Sequence, residues 1–152
     1  MTTTRTAEHG TFVLSRTYPV APERVFAAWA SRDAKMRWFG PPGQNNPNFK
    51  LDFRVGSTES ISGAPVAGGT VHTYQATYHD IVPNERIVYG YTMDADATRI
   101  SVSVTTVEFA PAGDGTTLTF TEQGVFLDGH DTLVSREKGT SELLDQLGTV
   151  IA

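Results

Sequence analysis

The chain has 152 residues, no cysteine and a formal net charge of −5. Its length fits one domain, and the lack of cysteine excludes thiol catalysis, thiolate metal sites and disulfides. The acidic balance, without any run of Lys and Arg, argues against a nucleic-acid partner. No apolar stretch reaches the roughly 18 residues of a membrane span, and no signal segment is visible, so the expected location is cytoplasmic.

The first part of the chain predicts one strand and two helices. Residues 1–10 are polar and are predicted to be disordered, with a single domain over residues 11–152. Alternation of apolar and polar residues predicts a strand over residues 11–18. Pro22 suits the first position of a helix that carries Trp29, and a second short helix carrying Trp38 follows.

The middle of the chain reads as a series of strands separated by short turns, which implies antiparallel pairing. Within residues 99–109 the apolar residues change parity, and this predicts a bulge near Thr105 and Thr106. The predicted strands cover residues 49–53, 57–62, 71–82, 86–93, 99–109 and 116–123.

Residues 131–152 predict a long amphipathic helix, because the apolar residues fall at helical spacing. The apolar face contains Leu143, Leu144, Leu147, Val150 and Ile151 and is extended backwards by Leu133 and Val134. We therefore predict an α+β domain in which one curved antiparallel sheet of six to seven strands surrounds this helix, with a functional cavity between them.

Several short sequences occur in an order that resembles one family. They are Ala21-Pro22-Glu23-Arg24-Val25-Phe26, Met36-Arg37-Trp38-Phe39-Gly40-Pro41, Tyr78-His79-Asp80-Ile81-Val82-Pro83 and Leu143-Leu144-Asp145-Gln146-Leu147. Over roughly residues 11–151 the chain resembles the activator of heat-shock protein 90 ATPase homologue family of the START-like, or SRPBCC, superfamily. The resemblance implies the helix-grip fold. Thr140 stands where this family often has Trp, which implies a more polar cavity of altered shape.

Alternate residues of the predicted strands point to the interior, and together with residues of the predicted helices they form a set of candidate ligand-binding residues. Aromatic side chains with a few polar groups are typical of cavities that hold small apolar or amphipathic molecules. The set is Trp29, Trp38, His72, Tyr74, Tyr91, Met93, Phe120, Glu122, Gly139 and Leu143.

Two of these residues, Glu122 and His72, are also candidate catalytic groups. A buried carboxyl must be paired or neutral, and a raised pKa would suit it to acid–base chemistry. Arg16 is the other charged residue at a strand position where the alternation predicts an apolar side chain, and it is the predicted ion partner of Glu122. Gly139 inside a helix predicts either close approach of a backbone or ligand, or a kink. No metal-ligand or nucleotide-binding motif occurs, so no metal and no cofactor is expected.

The residues leave three functions open. The first is binding of a small hydrophobic or amphipathic ligand, without catalysis. The second is a polyketide cyclase or aromatase-like enzyme, as elsewhere in the superfamily. The third is regulation of a heat-shock protein 90 chaperone, as the family name implies. A homodimer formed through a sheet edge is a further expectation, and the sequence does not decide it.

Overall fold

In the computed structural model, residues 4–40, 48–63 and 69–151 are described. They form one seven-stranded antiparallel sheet with the strand order β1-β7-β6-β5-β4-β3-β2. The strands are β1 (Ala7–Tyr18), β2 (Lys50–Leu51), β3 (Thr58–Ser62), β4 (His72–Val82), β5 (Arg86–Ala95), β6 (Thr98–Ala112) and β7 (Gly115–Leu127). The helices are α1 (Pro22–Ala30), α2 (Arg32–Met36) and α3 (Leu133–Ile151). This is the predicted α+β helix-grip fold, with two short helices after the first strand.

Helices α1 and α2 form where the local sequence favours them. Pro22 occupies the first turn of α1 together with the acidic Glu23, which suits the positive end of the helix dipole. The side chain of Ser31 caps α2 by accepting a hydrogen bond of 3.1 Å from the backbone N–H of Ala34. The buried face of α1 places Trp29 against the sheet.

Strand β1 begins at Ala7, so the prediction that residues 1–10 are disordered is wrong for residues 7–10. They pair with residues 124–127 of β7, which extends four residues beyond the predicted strand end at residue 123. Their backbone groups are therefore satisfied by the sheet ladder. The predicted strand over residues 49–53 is reduced to the two residues of β2.

The bulge predicted at Thr105 and Thr106 is absent, because β6 pairs regularly with both neighbouring strands there. One uninterrupted alternation faces inward and comprises Ser101, Ser103, Thr105, Val107 and Phe109. Val102 and Val104 face solvent, with 41% and 45% of their surfaces exposed. The register shift in this pair of strands lies between Met93 and Asp94 instead. Ser101 and Ser103 therefore point into the interior, where the alternation of apolar residues predicted Val102 and Val104.

The C-terminal half of α3 is fixed to β1. The hydroxyl of Tyr18 donates to the backbone carbonyl of Leu144 at 2.7 Å. A Cβ on Gly148 would lie 3.2 Å from the Tyr18 ring, so the helix and this ring are in close contact. Arg16 binds Asp145 at 2.9 Å, near the same contact.

The N-terminal half of α3 is less deeply packed. Leu133 lies over Gly10 of β1, but Val134 is 79% exposed and does not extend the apolar face as predicted. Buried apolar residues of α3 are Leu144, Leu147 and Ile151, all in its second half. The first half therefore spans a space that the sheet leaves open beneath it.

Candidate functional site

A cavity of about 500 Å³ lies between the inner face of the sheet and α3. Its volume is within the usual range for small-ligand sites. All ten residues that the sequence singled out for a ligand site line it: Trp29, Trp38, His72, Tyr74, Tyr91, Met93, Phe120, Glu122, Gly139 and Leu143. These residues come from the inner face of the sheet and from the helices that cover it.

Aromatic rings form one continuous side of the cavity. The ring centroids of Trp29 and Trp38 are 4.6 Å apart, and those of Tyr74 and Tyr91 are 4.9 Å apart. The ring of Phe39 connects both pairs, at 5.5 Å from Trp38 and 5.3 Å from Tyr74. The rings pack against one another, so the cavity offers a continuous aromatic surface.

Glu122 is the buried carboxyl group of this cavity, with 2% of the residue exposed. It accepts hydrogen bonds from the hydroxyls of Tyr91 at 2.7 Å and Thr105 at 3.3 Å. Burial raises the pKa of Glu122, and the hydrogen bond from Tyr91 and the charge of Arg136 only partly offset this. Glu122 therefore holds its proton to higher pH than an exposed carboxyl group does.

Arg136 lies beside Glu122 and was missed in the sequence. Its guanidinium donates to the hydroxyls of Tyr91 at 2.7 Å and Ser101 at 2.8 Å, and to the carboxylate of Asp131 at 2.9 Å. It is 3.7 Å from the Glu122 carboxylate. Two inward hydroxyls of β6, those of Ser101 and Thr105, therefore form hydrogen bonds with this pair of charges. Arg136 precedes Gly139 by three residues, and this helical spacing was the available signal.

The predicted ion pair between Arg16 and Glu122 is wrong. Arg16 binds Asp145 at 2.9 Å and the hydroxyl of Ser141 at 2.6 Å, both on α3. In the pairing of β1 with β7, Arg16 lies opposite Leu118 rather than Glu122. The partner of Glu122 comes from α3, which a strand-parity argument cannot identify.

Gly139 and Thr140 face the cavity from α3. The helix runs without interruption from Leu133 to Ile151, so the predicted kink at Gly139 is absent, and no backbone approaches closely there. A Cβ on Gly139 would meet no atom within 4 Å. Thr140 is 8% exposed, and its hydroxyl donates to the carbonyl of Arg136 at 2.9 Å. Small side chains thus keep this part of the cavity open.

His72 lies at the exposed edge of the cavity, away from Glu122. Across the sheet, Glu122 of β7 pairs with Thr105 of β6, and Thr105 pairs with Tyr89 of β5. Tyr89 in turn pairs with Tyr78 of β4, and His72 lies six residues before Tyr78 on that strand. At about 3.3 Å per residue this is roughly 20 Å along the strand. The structure does not bring the two candidate catalytic residues together. Within residues 4–40, 48–63 and 69–151 there is no group of three side chains suited to hold a metal ion.

A second pair of buried charges lies outside the cavity lining. The Lys35 ammonium of α2 is 2.6 Å from the Glu59 carboxylate of β3, and both side chains are 0% exposed. The hydroxyl of Tyr78 donates to the same carboxylate. Burial lowers the pKa of Lys35, and the charge of Glu59 opposes this effect. Neither residue stood out in the sequence, because a pairing over 24 positions leaves no local pattern.

Comparison with known proteins defines the class of protein. The sequence matches the family described as Activator of Hsp90 ATPase homolog 1-like protein over residues 19–152, and the chain belongs to this family. No protein of curated function matches it. In the described part of the chain, no helix is long and apolar enough to cross a membrane.

Solved structures share this fold at high and at low identity. An uncharacterised protein from Rhizobium leguminosarum is 44% identical, with 98% of each chain covered and a TM-score of 0.93. The Mll3558 protein from Rhizobium loti is 43% identical, with 95% of this chain and 99% of that chain covered and a TM-score of 0.87. CalU16 from Micromonospora echinospora is 18% identical, with 98% and 87% covered and a TM-score of 0.69, and shows the fold alone.

Proposed function

We propose that this protein binds a small, largely apolar molecule in the cavity between the sheet and α3. The observation that carries the proposal is the combination of a space of about 500 Å³ with an aromatic side and the buried polar group of Glu122 and Arg136. Ligand sites commonly combine an apolar surface with a few directed polar groups. The aromatic rings would contact the apolar body, and Arg136 would orient the molecule.

The position of the cavity supports the proposal further. The second half of α3 carries Leu144 and Leu147 into the core and is fixed to β1 through Tyr18. The first half carries Gly139 and Thr140 over open space. A helix that served only to cover the sheet would place large apolar side chains along its whole inner face. Small residues in its middle are consistent with an occupied cavity.

A titration with prodan, a neutral fluorescent naphthyl ketone, tests this proposal. We expect a saturable increase of blue-shifted emission and a single prodan bound per chain in native mass spectrometry. The melting temperature should rise as the probe concentration exceeds the dissociation constant, because a ligand that binds only the folded state stabilises it. Absence of saturable binding, together with an unchanged melting temperature, would contradict the proposal.

Acid–base catalysis on the bound molecule is a second candidate function, favoured by the raised pKa of Glu122 and its hydrogen bond to Tyr91. Molecules that bind would be incubated with the protein and followed by mass change in liquid chromatography. Glu122→Gln should then leave binding in place and stop the conversion. An unchanged conversion rate in this variant would remove Glu122 from the chemistry.

A further inference from the structure

We propose that the molecule bound in this cavity is uncharged and presents a carbonyl or hydroxyl oxygen to the guanidinium of Arg136. This inference rests on the proposed ligand-binding function and specifies the chemistry of its ligand. It follows from the hydrogen bonds that Arg136 already makes and from the charges that surround it.

Arg136 has donors left for a ligand. A guanidinium carries five N–H groups, and three of those of Arg136 donate to Tyr91, Ser101 and Asp131. Within the described residues, its Nε–H and one N–H of Nη1 have no acceptor. The side chain is 10% exposed and lines the cavity, so an oxygen atom of a ligand can reach it. An unfilled donor beside an apolar surface favours a ligand that carries an acceptor.

The charge of Arg136 is already balanced, which disfavours an anionic ligand. Its Nη2 is 2.9 Å from the carboxylate of Asp131, and Glu122 lies at 3.7 Å from its Nη1. Glu142 adds an exposed carboxylate to the lining. A carboxylate or sulfonate would leave water and enter a site without surplus positive charge, at a net cost. A neutral oxygen accepts the same hydrogen bonds without that cost.

Cationic ligands are disfavoured for a different reason. Some of the aromatic rings that could attract a cation already face the protein's own charges. The Lys35 ammonium is 4.4 Å from the centroid of the Phe39 ring, and the Arg136 guanidinium is 5.7 Å from that of Tyr91. An amine bound at these rings would be repelled by a like charge nearby. A neutral molecule with an oxygen acceptor avoids both of these costs and uses the remaining N–H donors of Arg136.

A pair of probes tests this choice on the intact protein. Prodan supplies a neutral ketone, and 1-anilinonaphthalene-8-sulfonate supplies a similar apolar body with an anionic group. We expect prodan to bind about 10-fold more tightly than the sulfonate, because the sulfonate loses hydration that a site of balanced charge does not replace. Equal affinities, or tighter binding of the sulfonate, would overturn the inference.

Arg136→Met should weaken prodan binding by about 10-fold, because the N–H donors are lost. The apolar stem of the side chain is kept, so the packing changes little. Arg16→Met is the matched control, since Arg16 also connects the sheet to α3 but does not line the cavity. The control should bind prodan as the unchanged protein does. If Arg136→Met binds prodan with unchanged affinity, Arg136 does not hold the ligand.

Asp131→Asn provides a test by gain of binding, and an unchanged near-UV circular dichroism spectrum of the variant excludes the loosened fold that would also bind this sulfonate. Removing this carboxylate leaves positive charge on Arg136, so affinity for the sulfonate should rise several-fold while affinity for prodan stays the same. Unchanged sulfonate binding would contradict the charge argument. If neither probe binds the unchanged protein, the ligand-binding function itself fails. If both bind equally, only the inference about Arg136 fails.

Discussion

Two buried carboxyl groups lie on the inner side of the sheet, and their surroundings differ. Glu59 on β3 is fully buried with Lys35, and neither residue lines the cavity. Glu122 on β7 is also buried, but its cation, Arg136, is partly exposed and lines the cavity. The first pair is closed off and connects α2 to the sheet. The second pair has a side that faces open space, and this difference is the basis for proposing a role in ligand binding for the second pair only.

The largest effect should come from breaking the closed pair. Lys35→Met leaves the Glu59 carboxylate buried without its cation, which typically costs about 3–5 kcal/mol of the free energy of unfolding. Urea denaturation would measure this loss. The double variant Lys35→Met with Glu59→Leu should recover most of it, because both charges are then absent. A loss below about 1 kcal/mol in the single variant would show that the pair is not a structural contact.

Blocking the cavity should affect binding without a comparable loss of stability. Thr140→Trp places a large ring in the space beside Gly139 and should weaken prodan binding by more than about 10-fold, because probe and ring compete for one volume. Val134→Trp is the matched control, since Val134 is 79% exposed on the same helix. A fluorescence titration of both variants compares them. Equal affinity in the two would place the probe outside this cavity.

The carboxyl of Glu122 should give a pH-dependent effect. Its pKa is raised by burial, so its ionisation opposes folding, and this cost is absent below the ordinary pKa and grows as pH rises through the folded-state pKa. Glu122→Gln should therefore be more stable than the unchanged protein at pH 8, by on the order of 1 kcal/mol.

Thermal unfolding at pH 4 and pH 8 would measure this difference for both proteins. The advantage of the variant should shrink at pH 4, where most Glu122 carboxyl groups are protonated in both the folded and the unfolded chain. An advantage that is larger at pH 4 would contradict the direction of the shift.

The two glycines of α3 should give the smallest effects. Gly139→Ala adds a Cβ that meets no atom within 4 Å, so the helix should gain up to about 1 kcal/mol. In Gly148→Ala the Cβ lies 3.2 Å from the Tyr18 ring, and the same gain should be cancelled or reversed. Denaturation curves of the two variants give the comparison. Equal stabilisation would mean that the helix does not pack closely on Tyr18.

The sequence was a good guide to the fold because its signals are local. Alternation marked the long strands, and helical spacing marked α3. It was a poor guide where polar residues enter the interior. Ser101 and Thr105 face inward because Arg136 and Glu122 need hydrogen-bond partners, and the valines between them face solvent. No strand pattern predicts that exchange.

Pairings across long sequence distances were also missed, for a related reason. Lys35 with Glu59, and Arg136 with Glu122, come from a helix and a strand that only the folded chain brings together. Binding to a heat-shock protein 90 chaperone and dimerisation through a sheet edge remain predictions. Co-purification with the chaperone and light scattering would test them.

An NMR titration of the labelled protein with prodan tests the central claim most directly. We expect the largest amide shifts at Gly139 and Thr140 of α3 and at Tyr74 and Tyr91 of the sheet, with the indole N–H of Trp29 also affected. The outward-facing amides near Val102 should stay unchanged. Shifts confined to that outer face, with none at the residues between the sheet and α3, would contradict the account.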